Sequence, residues 1–376
     1  MSGAKRIGFV IDSRVPSWAA VVSGRARPWV PLLGWPSGGS VAVMRFGWIA
    51  RRVNADAGAG WRYEIYKPWR SYHAVVFLKS MGAECAALAE RLKRAGTRVV
   101  FDLNVDYLTP AGGQFYYDGM APTPEQHAAA HAMLRASDLV IADSSHLAAV
   151  AAQHHARVAW IADNVEMRLA PPWHEWRREG RLPLLWSGEA AKLFELLAIG
   201  QPLLRNAGRI RLVLVTSALA ALGRWPAAQR ERFEALLARV EHEIIPFRSI
   251  PQLFTIYAQG GIFIAPRFLD NTYNMGHTEW KITLPMACGR GVLASPVPSY
   301  ADFARVSDGK GLRLCANDAE WEAAIDGAVR GGLFSPAEEA AAREAVQAHY
   351  STEVIARRHR DLLAALIEDS SPAHHA

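Results

Sequence analysis

Cysteine is scarce in this sequence, with three among 376 residues. Cys85, Cys288 and Cys315 stand far apart and are odd in number, which excludes a disulfide framework and a Cys-x-x-Cys metal site.

No segment has the roughly 18 consecutive apolar residues that crossing a bilayer requires. The apolar stretch near the start is broken at Asp12 and is too short for a signal peptide. We expect a protein of the reducing cytoplasm, either cytosolic or peripheral to the inner face of the membrane.

Clustered charge is also missing. Lys and Arg number 42 and Asp and Glu 36, a net charge of +6. They are scattered, without a Lys/Arg block or a zinc-finger pattern, so we expect no nucleic-acid partner. The mild excess favours phosphate-bearing ligands or an anionic membrane surface. Hydrophobic residues at 51% and charged residues at 21% exclude disordered, collagen-like and coiled-coil chains.

Short apolar runs alternate with amphipathic stretches, which implies parallel sheets with helices on both faces. A chain of this length predicts two domains, since one domain holds roughly 100–200 residues. The linker is expected near Pro171–Trp173 and the charged stretch behind it. The expected strands are 7–11, 74–78, 98–103, 138–142, 158–162, 184–186, 210–215, 262–265 and 291–294, and the expected helices of the second half are 190–204, 227–240 and 281–287.

Two places in the second half suit an anion. Ser187 and Gly188 end a predicted strand and lead directly into a helix, which lets a phosphate approach the backbone, although Gly is also a common turn residue. Further on, Thr278 is placed to cap a helix whose first turn contains Lys281. A cation there is unfavourable for the helix dipole. Either Lys281 points to solvent or it faces a bound diphosphate.

The first half has a polar cluster at a strand end. Asp102, Asn104 and Asp106 alternate, so their side chains lie on one face. They suit acceptor hydroxyls, a divalent cation, or solvated loop positions. Lys79 also ends a predicted strand, where it faces either a cleft or solvent. His127 and His131 have the spacing of zinc ligands, but no third ligand follows, so surface histidines are the better interpretation.

Several short motifs follow one another in an order that resembles a known family. They are Val99 to Asp106, Asp138 to Ser145, Ile161 to Glu166, Ala265-Pro266, Lys281, Met286 to Gly289 and Ala294 to Pro296. Together they resemble the GT-B-fold glycosyltransferases of the group 1 (family 4) type, in which a strand, a polar loop, a Lys entering a helix, Met-Ala-x-Gly and Ser-Pro occur in this order. The resemblance covers most of the chain.

The resemblance implies an α/β protein of two Rossmann-like doubly wound domains that face a central cleft, with a C-terminal helix crossing back to the first domain. The domains are expected at 1–172 and 173–340, and the helix and tail at 341–376. The reaction would move a sugar from a nucleoside-diphosphate donor to a glycan, lipid-linked or small-molecule acceptor, with retention and with no cofactor or metal.

The expected site residues divide between the two halves. Asp102 and Asp106 are the catalytic candidates, and Arg45, Lys79 and Asn104 the acceptor-binding candidates. The donor-binding candidates are Ser187, Gly188, Asn274, Thr278, Glu279 and Lys281.

One departure from the family pattern concerns the donor ribose. Family members carry two Glu separated by seven residues, where this chain has Gly276 and Leu284. Glu279 or Asn274 would then substitute, or activity has been lost. Two alternatives stay open: an inactive sugar-nucleotide-binding homologue, which the missing Glu pair favours, and a nucleotide-sugar 2-epimerase on the same fold.

Overall fold

A computed structural model describes residues 4–11, 13, 40–56, 60–109, 121–176 and 179–369. The stretch from Arg25 to Ser40 is rich in Pro, Trp and Gly, which predicts a long loop. All of it except Ser40 lies outside the described residues, as do Asp12 and the polar tail. The described chain forms two compact units. The first unit comprises the described residues up to 164, without Ala121, and those from 352 onward. The second unit comprises Ala121 and residues 165–351.

The first unit is built on a six-stranded parallel sheet in the order β2-β1-β3-β4-β5-β6. Its strands are β1 (Lys5–Ile11), β2 (Trp61–Ile65), β3 (Ala74–Leu78), β4 (Arg98–Leu103), β5 (Leu139–Ala142) and β6 (Val158–Trp160). Every residue of β3 and β5 is buried. Helices cover both faces of such a sheet, so its central strands are continuously apolar.

The helices of the first unit connect these strands. They are α1 (Ser40–Ala42), a π-helix (Val43–Trp48), α2 (Ile49–Ala55), α3 (Ala83–Arg94), α4 (Pro124–Ala136), α5 (Ser145–Ala152) and, from the end of the chain, α14 (Thr352–Glu368). The last helix packs on α2. The buried His359 of α14 lies against Tyr63 of β2, with its Nδ1 3.1 Å from the Tyr63 hydroxyl. The C-terminal helix is thus part of the first unit.

The second unit has its own six-stranded parallel sheet in the order β12-β11-β10-β7-β8-β9. Its strands are β7 (Leu182–Gly188), β8 (Ile210–Thr216), β9 (His242–Pro246), β10 (Ile262–Ala265), β11 (Val292–Ala294) and β12 (Leu312–Leu314). Trp186, Phe194 and Phe233 are fully buried in the core on one face of this sheet.

The helices of the second unit are mostly short. The 3₁₀ helices are η1 (Met167–Leu169), η2 (Ala190–Ile199) and η3 (Leu219–Arg224). The α-helices are α6 (Gly200–Arg205), α7 (Ala227–Arg239), α8 (Ile250–Ala258), α9 (Thr272–Met275), α10 (Trp280–Ala287), α11 (Pro298–Val306), α12 (Asp318–Arg330) and α13 (Pro336–Tyr350).

The predicted α/β class with two parallel doubly wound sheets is confirmed. The single predicted helix 190–204 is wrong, because η2 ends at Ile199 and α6 begins at Gly200. Pro202 lacks an N–H and is tolerated only in the first turn of a helix, which the new start at Gly200 provides. Strands β2, β9 and β12 were not expected.

Gly261, directly before β10, has a left-handed backbone (φ +112°). A Cβ there would lie 2.8 Å from the Pro183 carbonyl oxygen and 2.2 Å from a Leu185 methyl carbon. We expect Gly261→Ala to lower the free energy of unfolding by about 1–3 kcal/mol, through backbone strain and overpacking. Urea denaturation measures the change. Gly208→Ala is the control, since nothing lies within 4 Å of its Cβ position, and an equal loss in both variants would contradict the argument.

Candidate functional site

The second sheet has a topological switch point between the neighbouring strands β7 and β10. From β7 the chain adds β8 and β9 on one side, and from β10 it adds β11 and β12 on the other. Ligands of doubly wound sheets bind at the carboxyl ends of the strands at such a point. Here β7 ends at Gly188 and leads into η2, and β10 ends at Ala265, two residues before Arg267. A ligand site is therefore expected among the side chains that follow these two strand ends.

A buried carboxylate occupies this place. Glu195 of η2 accepts hydrogen bonds from the Arg267 guanidinium through Oε1 and from Lys281 Nζ through Oε2, the latter at 3.0 Å. The Lys281 side chain is 12% exposed and lies over the Trp186 ring, 4.3 Å from its centroid. A solvent-facing Lys281 is therefore excluded. Its cationic group is held in place by Glu195 and Trp186.

The charges of this cluster influence one another strongly. Burial alone would raise the pKa of Glu195, but Arg267, Lys281 and Lys192 outweigh it and hold that pKa below its usual range. Burial lowers the pKa of Lys281 to about 7, with repulsion from Arg267 and Lys192 acting in the same direction and Glu195 opposing it. Lys281 therefore changes charge near neutral pH.

We call Lys192, Glu195, Arg267 and Lys281 the cation cluster. It combines Lys192, Arg267 and Lys281 with one carboxylate, so it retains an excess of positive charge at the carboxyl ends of β7 and β10 even where Lys281 is neutral. His277 lies beside it, and burial together with these cations holds the pKa of His277 well below its usual value. A bound anion would offset the repulsion among the cations. The arrangement therefore suits a ligand with more than one negative charge.

The two predicted residues at the end of β7 have partners within the protein. The Ser187 hydroxyl is 2.6 Å from the Tyr257 hydroxyl. A Cβ on Gly188 would lie 2.8 Å from the Trp186 ring, the same ring on which Lys281 Nζ rests. Close packing of Trp186 thus accounts for a glycine at this position. The donor-binding roles of Ser187 and Gly188 stay predictions.

The predicted cap at Thr278 is wrong, because α10 begins at Trp280 and its N-cap residue is Glu279, without a side-chain cap hydrogen bond. Thr278 Oγ1 instead accepts a hydrogen bond of 3.3 Å from the Trp280 N–H. Glu279 is fully buried. Asn274 is also buried and donates to the Phe268 carbonyl oxygen, while its Oδ1 has no hydrogen-bond partner among the described residues.

The first unit holds a buried cluster of opposite sign. Arg45, in the π-helix and 2% exposed, donates to both carboxylate oxygens of Asp102, at 3.0 and 3.1 Å, and to Oδ1 of Asp163 at 3.0 Å. Its Nη1 also donates to the Ile161 carbonyl oxygen. Asp143 completes this aspartate cluster, which has three carboxylates around one guanidinium. The cluster lies where β4, β5 and β6 end.

Asp143 has one carboxylate oxygen in a hydrogen bond and one without a partner among the described residues. Its Oδ2 accepts from Asn104 Nδ2 at 3.3 Å, and its Oδ1 has no hydrogen-bond partner among the described residues. Burial, together with the nearby Asp163 and Asp102, raises the pKa of Asp143 well above its usual range. This environment favours the protonated form of Asp143 more than water does, and in that form its carboxyl group can donate a hydrogen bond to a hydroxyl oxygen.

Asp106 has a local role. Its Oδ1 accepts hydrogen bonds of 2.9 Å from the N–H groups of Leu108 and Thr109, which fixes the turn after β4. Solvated positions for Asp102 and Asp106 are excluded, because both side chains are buried. Lys79, the first residue after β3, adopts a left-handed backbone and its N–H donates to the Asp102 carbonyl oxygen. The catalytic and acceptor-binding roles of these residues stay predictions.

Three histidine rings pack together on the first unit. His127 and His131 are joined by His154, whose ring centroid lies 4.9 Å from that of His131. In the part of the chain that the structure describes, no group of three His, Cys, Asp or Glu side chains is placed to hold a metal ion. Likewise, none of its helices is long and apolar enough to cross a membrane.

Sequence reasoning missed five charged residues of the two clusters: Asp143, Asp163, Lys192, Glu195 and Arg267. A signal was available for Glu195, the one charge in the run Leu193-Phe194-Glu195-Leu196-Leu197. A charged residue inside an apolar run is rarely buried unless it is paired. Asp143 and Arg267 follow predicted strands, and Asp163 lies in the motif Ile161 to Glu166, so their positions also offered a signal. No local pattern distinguishes Lys192.

No protein-family model matches this chain, and no curated protein resembles it significantly in sequence. Solved structures are similar to it in fold. Alr3699/HepE from Anabaena, in complex with UDP and glucose, superposes with a TM-score of 0.63 at 10% identity, over 96% of this chain and 100% of that one. A glycosyltransferase from Rickettsia africae superposes with a TM-score of 0.61 at 12% identity, over 98% and 100% of the two chains.

Sucrose-phosphate synthase from Thermosynechococcus elongatus is similar to the same extent, with a TM-score of 0.61 at 15% identity over 97% of this chain and 100% of that one. Identities this low establish the fold alone. The chain has the GT-B fold, as the resemblance of its motifs implied.

Proposed function

We propose that the protein transfers a hexosyl group from a nucleoside-diphosphate sugar to a hydroxyl of a glycan, lipid-linked or small-molecule acceptor, with retention at the anomeric carbon and in the manner of the group 1 (family 4) enzymes. The observation that carries this proposal is the cation cluster at the switch point of the second sheet. The comparison structure of HepE holds UDP and glucose, so a protein of this fold binds both parts of such a donor.

The chemistry of the leaving group explains why cations are needed. As the bond between the anomeric carbon and the diphosphate oxygen breaks, negative charge develops on the diphosphate, and fixed cations stabilise that charge without reorganising. Arg267 and Lys281 are held by Glu195 before the donor arrives. The acceptor oxygen forms the new bond to the anomeric carbon, and its proton leaves with the nucleoside diphosphate, so neither a metal nor a further cofactor takes part in the proposed reaction.

The aspartate cluster supports an acceptor site in the first unit. Asp143 Oδ1 and Asn104 Oδ1 are buried and have no hydrogen-bond partner among the described residues. A buried polar atom without a partner costs free energy that a bound hydroxyl group would recover. A cytoplasmic location, with acceptors taken from solution or from the inner face of the membrane, completes the proposal.

Titration calorimetry with UDP, GDP, ADP and CDP tests the donor site, and mass spectrometry of reactions with the matching nucleotide sugars tests the reaction. Nucleoside-diphosphate release together with an acceptor gaining one hexose mass supports the proposal. A donor sugar epimerised at C2 would instead assign an epimerase. Nucleotide binding without any product from a broad acceptor panel would assign a binding protein, and absence of binding would overturn the donor site.

Asp106→Asn tests the acceptor side. An Asn Oδ1 accepts the same two backbone hydrogen bonds, so the turn is kept, while the negative charge and the acceptor oxygen Oδ2, which has no partner among the described residues, are lost. We expect kcat/KM for the acceptor to fall at least about ten-fold, roughly 1.4 kcal/mol of transition-state stabilisation, with donor KM changing less than about two-fold. Asp138→Asn is the matched control, since Asp138 also binds a backbone N–H, that of Val99, but before β5. Equal losses for acceptor and donor would place Asp106 outside the acceptor site.

A further inference from the structure

A cavity of about 330 Å³ lies in the second unit at the edge of the sheet opposite the cation cluster. Leu182 and Ile262, which line it, are the first residues of β7 and β10, whereas the cation cluster lies behind the last residues of these strands. Cavities of this size accommodate small organic ligands. The proposed glycosyl transfer makes no use of this one.

Two aromatic walls of the cavity are held against glycines. A Cβ on Gly260 would lie 2.9 Å from the Trp176 ring, and a Cβ on Gly291 would lie 2.1 Å from the Phe334 ring. Each ring thus packs directly on a backbone that offers no side chain, which fixes its position. The cavity therefore has preformed flat apolar surfaces.

The polar groups of the cavity are acidic. Glu339, 6% exposed, accepts a hydrogen bond of 3.1 Å from the Gly291 N–H, and Glu175 is the second carboxylate of the lining. The nearby Arg290 donates instead to the carbonyl oxygens of Cys288 and His174. Among the described residues, no cation forms an ion pair with Glu339. Burial raises the pKa of this carboxyl group, and Arg290 offsets part of that rise.

We propose that this cavity binds a small organic cation, a primary amine with an apolar body. The body lies against Trp176 and Phe334, and the ammonium group donates to the Glu339 carboxylate, with Glu175 adding attraction. Aromatic faces attract cations as well as apolar groups, and a buried carboxylate is stabilised by a cationic partner. A neutral ligand would leave Glu339 unpaired, and an anion would be repelled by both carboxylates.

Titration calorimetry with three probes of one shape tests the charge argument: phenethylamine, 2-phenylethanol and 3-phenylpropionate. We expect the amine to bind at least about ten-fold more tightly than the alcohol, the factor expected for one charge-assisted hydrogen bond, and the carboxylate to give no heat. Amine affinity should fall as the pH is lowered and Glu339 becomes protonated. Equal affinities for amine and alcohol, or no binding of any probe, would overturn the proposal.

Variants locate the binding. Glu339→Gln keeps an acceptor for the Gly291 N–H and should weaken amine binding about ten- to one-hundred-fold, and Trp176→Leu should also weaken it. Glu338→Gln is the matched control, because Glu338 caps α13 through Ser335 and does not line the cavity. Near-UV circular dichroism establishes that each variant is folded. Amine binding unchanged in folded Glu339→Gln would show that the site lies elsewhere.

Discussion

Replacing Arg45 by methionine is expected to lower the free energy of unfolding by about 3–5 kcal/mol near neutral pH, the range for removing one partner of a buried ion pair. Asp102 and Asp163 accept hydrogen bonds from this guanidinium, and Asp143 lies close by. Without Arg45 these carboxylates stay buried with no cation among them. Chemical denaturation of both proteins at the same pH measures the difference.

The loss should depend on pH in a defined direction. Burial already raises the pKa of Asp102 and of Asp143 in the native protein, and removing Arg45 would raise both further. A carboxyl group whose folded-state pKa is raised takes up a proton on folding, so the penalty is complete above that pKa and shrinks as the pH falls toward about 4. Arg52→Met, on the exposed face of α2, is the control and should change stability by less than about 0.5 kcal/mol. A loss that is independent of pH would contradict the charge argument.

The strands that could be predicted are those buried on both sides. Ala74–Leu78 and Ile262–Ala265 are continuous apolar runs whose bounds agree with β3 and β10. The strands that were missed lie toward the sheet edges. In β9, His242 and Glu243 are exposed, so its sequence has no apolar run to distinguish it from a loop. An edge strand is stabilised by backbone hydrogen bonds to its one neighbour and is partly open to water. Its side chains therefore need not be apolar, and its sequence contains no apolar run.

The sequence predicts where in the fold the candidate site lies, but it does not predict which side chains form ion pairs there. Parallel strands bring their carboxyl ends together, so Asp102 could be selected from its place at a strand end. Lys281 could be selected because it is a cation in the first turn of a predicted helix. Their partners are distant in sequence: Arg45 is 57 residues from Asp102, and Glu195 is 86 residues from Lys281. No local spacing rule connects such pairs. The placement of Lys281 early in α10, against the helix dipole, acquires its explanation only from Glu195.

The two clusters differ in the sign of their excess charge. The aspartate cluster has three carboxylates and one guanidinium, whereas the cation cluster has three cations and one carboxylate. Both lie behind the carboxyl ends of parallel strands, so topology alone does not decide which ligand each would bind. Charge distinguishes them: the excess of positive charge in the second unit favours an anion, as the proposed donor site requires, whereas the excess of negative charge in the first unit disfavours one.

Replacing Lys281 by methionine is expected to weaken binding of the nucleoside diphosphate selected by calorimetry by about 1.5–3 kcal/mol, the range for hydrogen bonds to charged groups, or roughly ten- to one-hundred-fold in Kd. Glu195 keeps Arg267 as a partner, so the variant should fold. Methionine retains the contact with the Trp186 ring, which isolates the loss of the charge. Lys310→Met, at an exposed turn before β12, is the control and should leave Kd unchanged.

Binding of the diphosphate should be coupled to uptake of a proton by the protein. Because burial lowers the pKa of Lys281 to about 7, this side chain is largely neutral in the free protein above that pH, and a bound polyanion would favour its charged form. Phosphate groups titrate near pH about 6, so between about pH 7.5 and 9 the proton is taken up by the protein. Affinity of the native protein should fall as the pH rises across this interval, and calorimetry in two buffers of different ionisation enthalpy should detect proton uptake that Lys281→Met lacks. Equal proton uptake by both proteins would assign it to another group, and unchanged affinity in the variant would place the diphosphate away from Lys281.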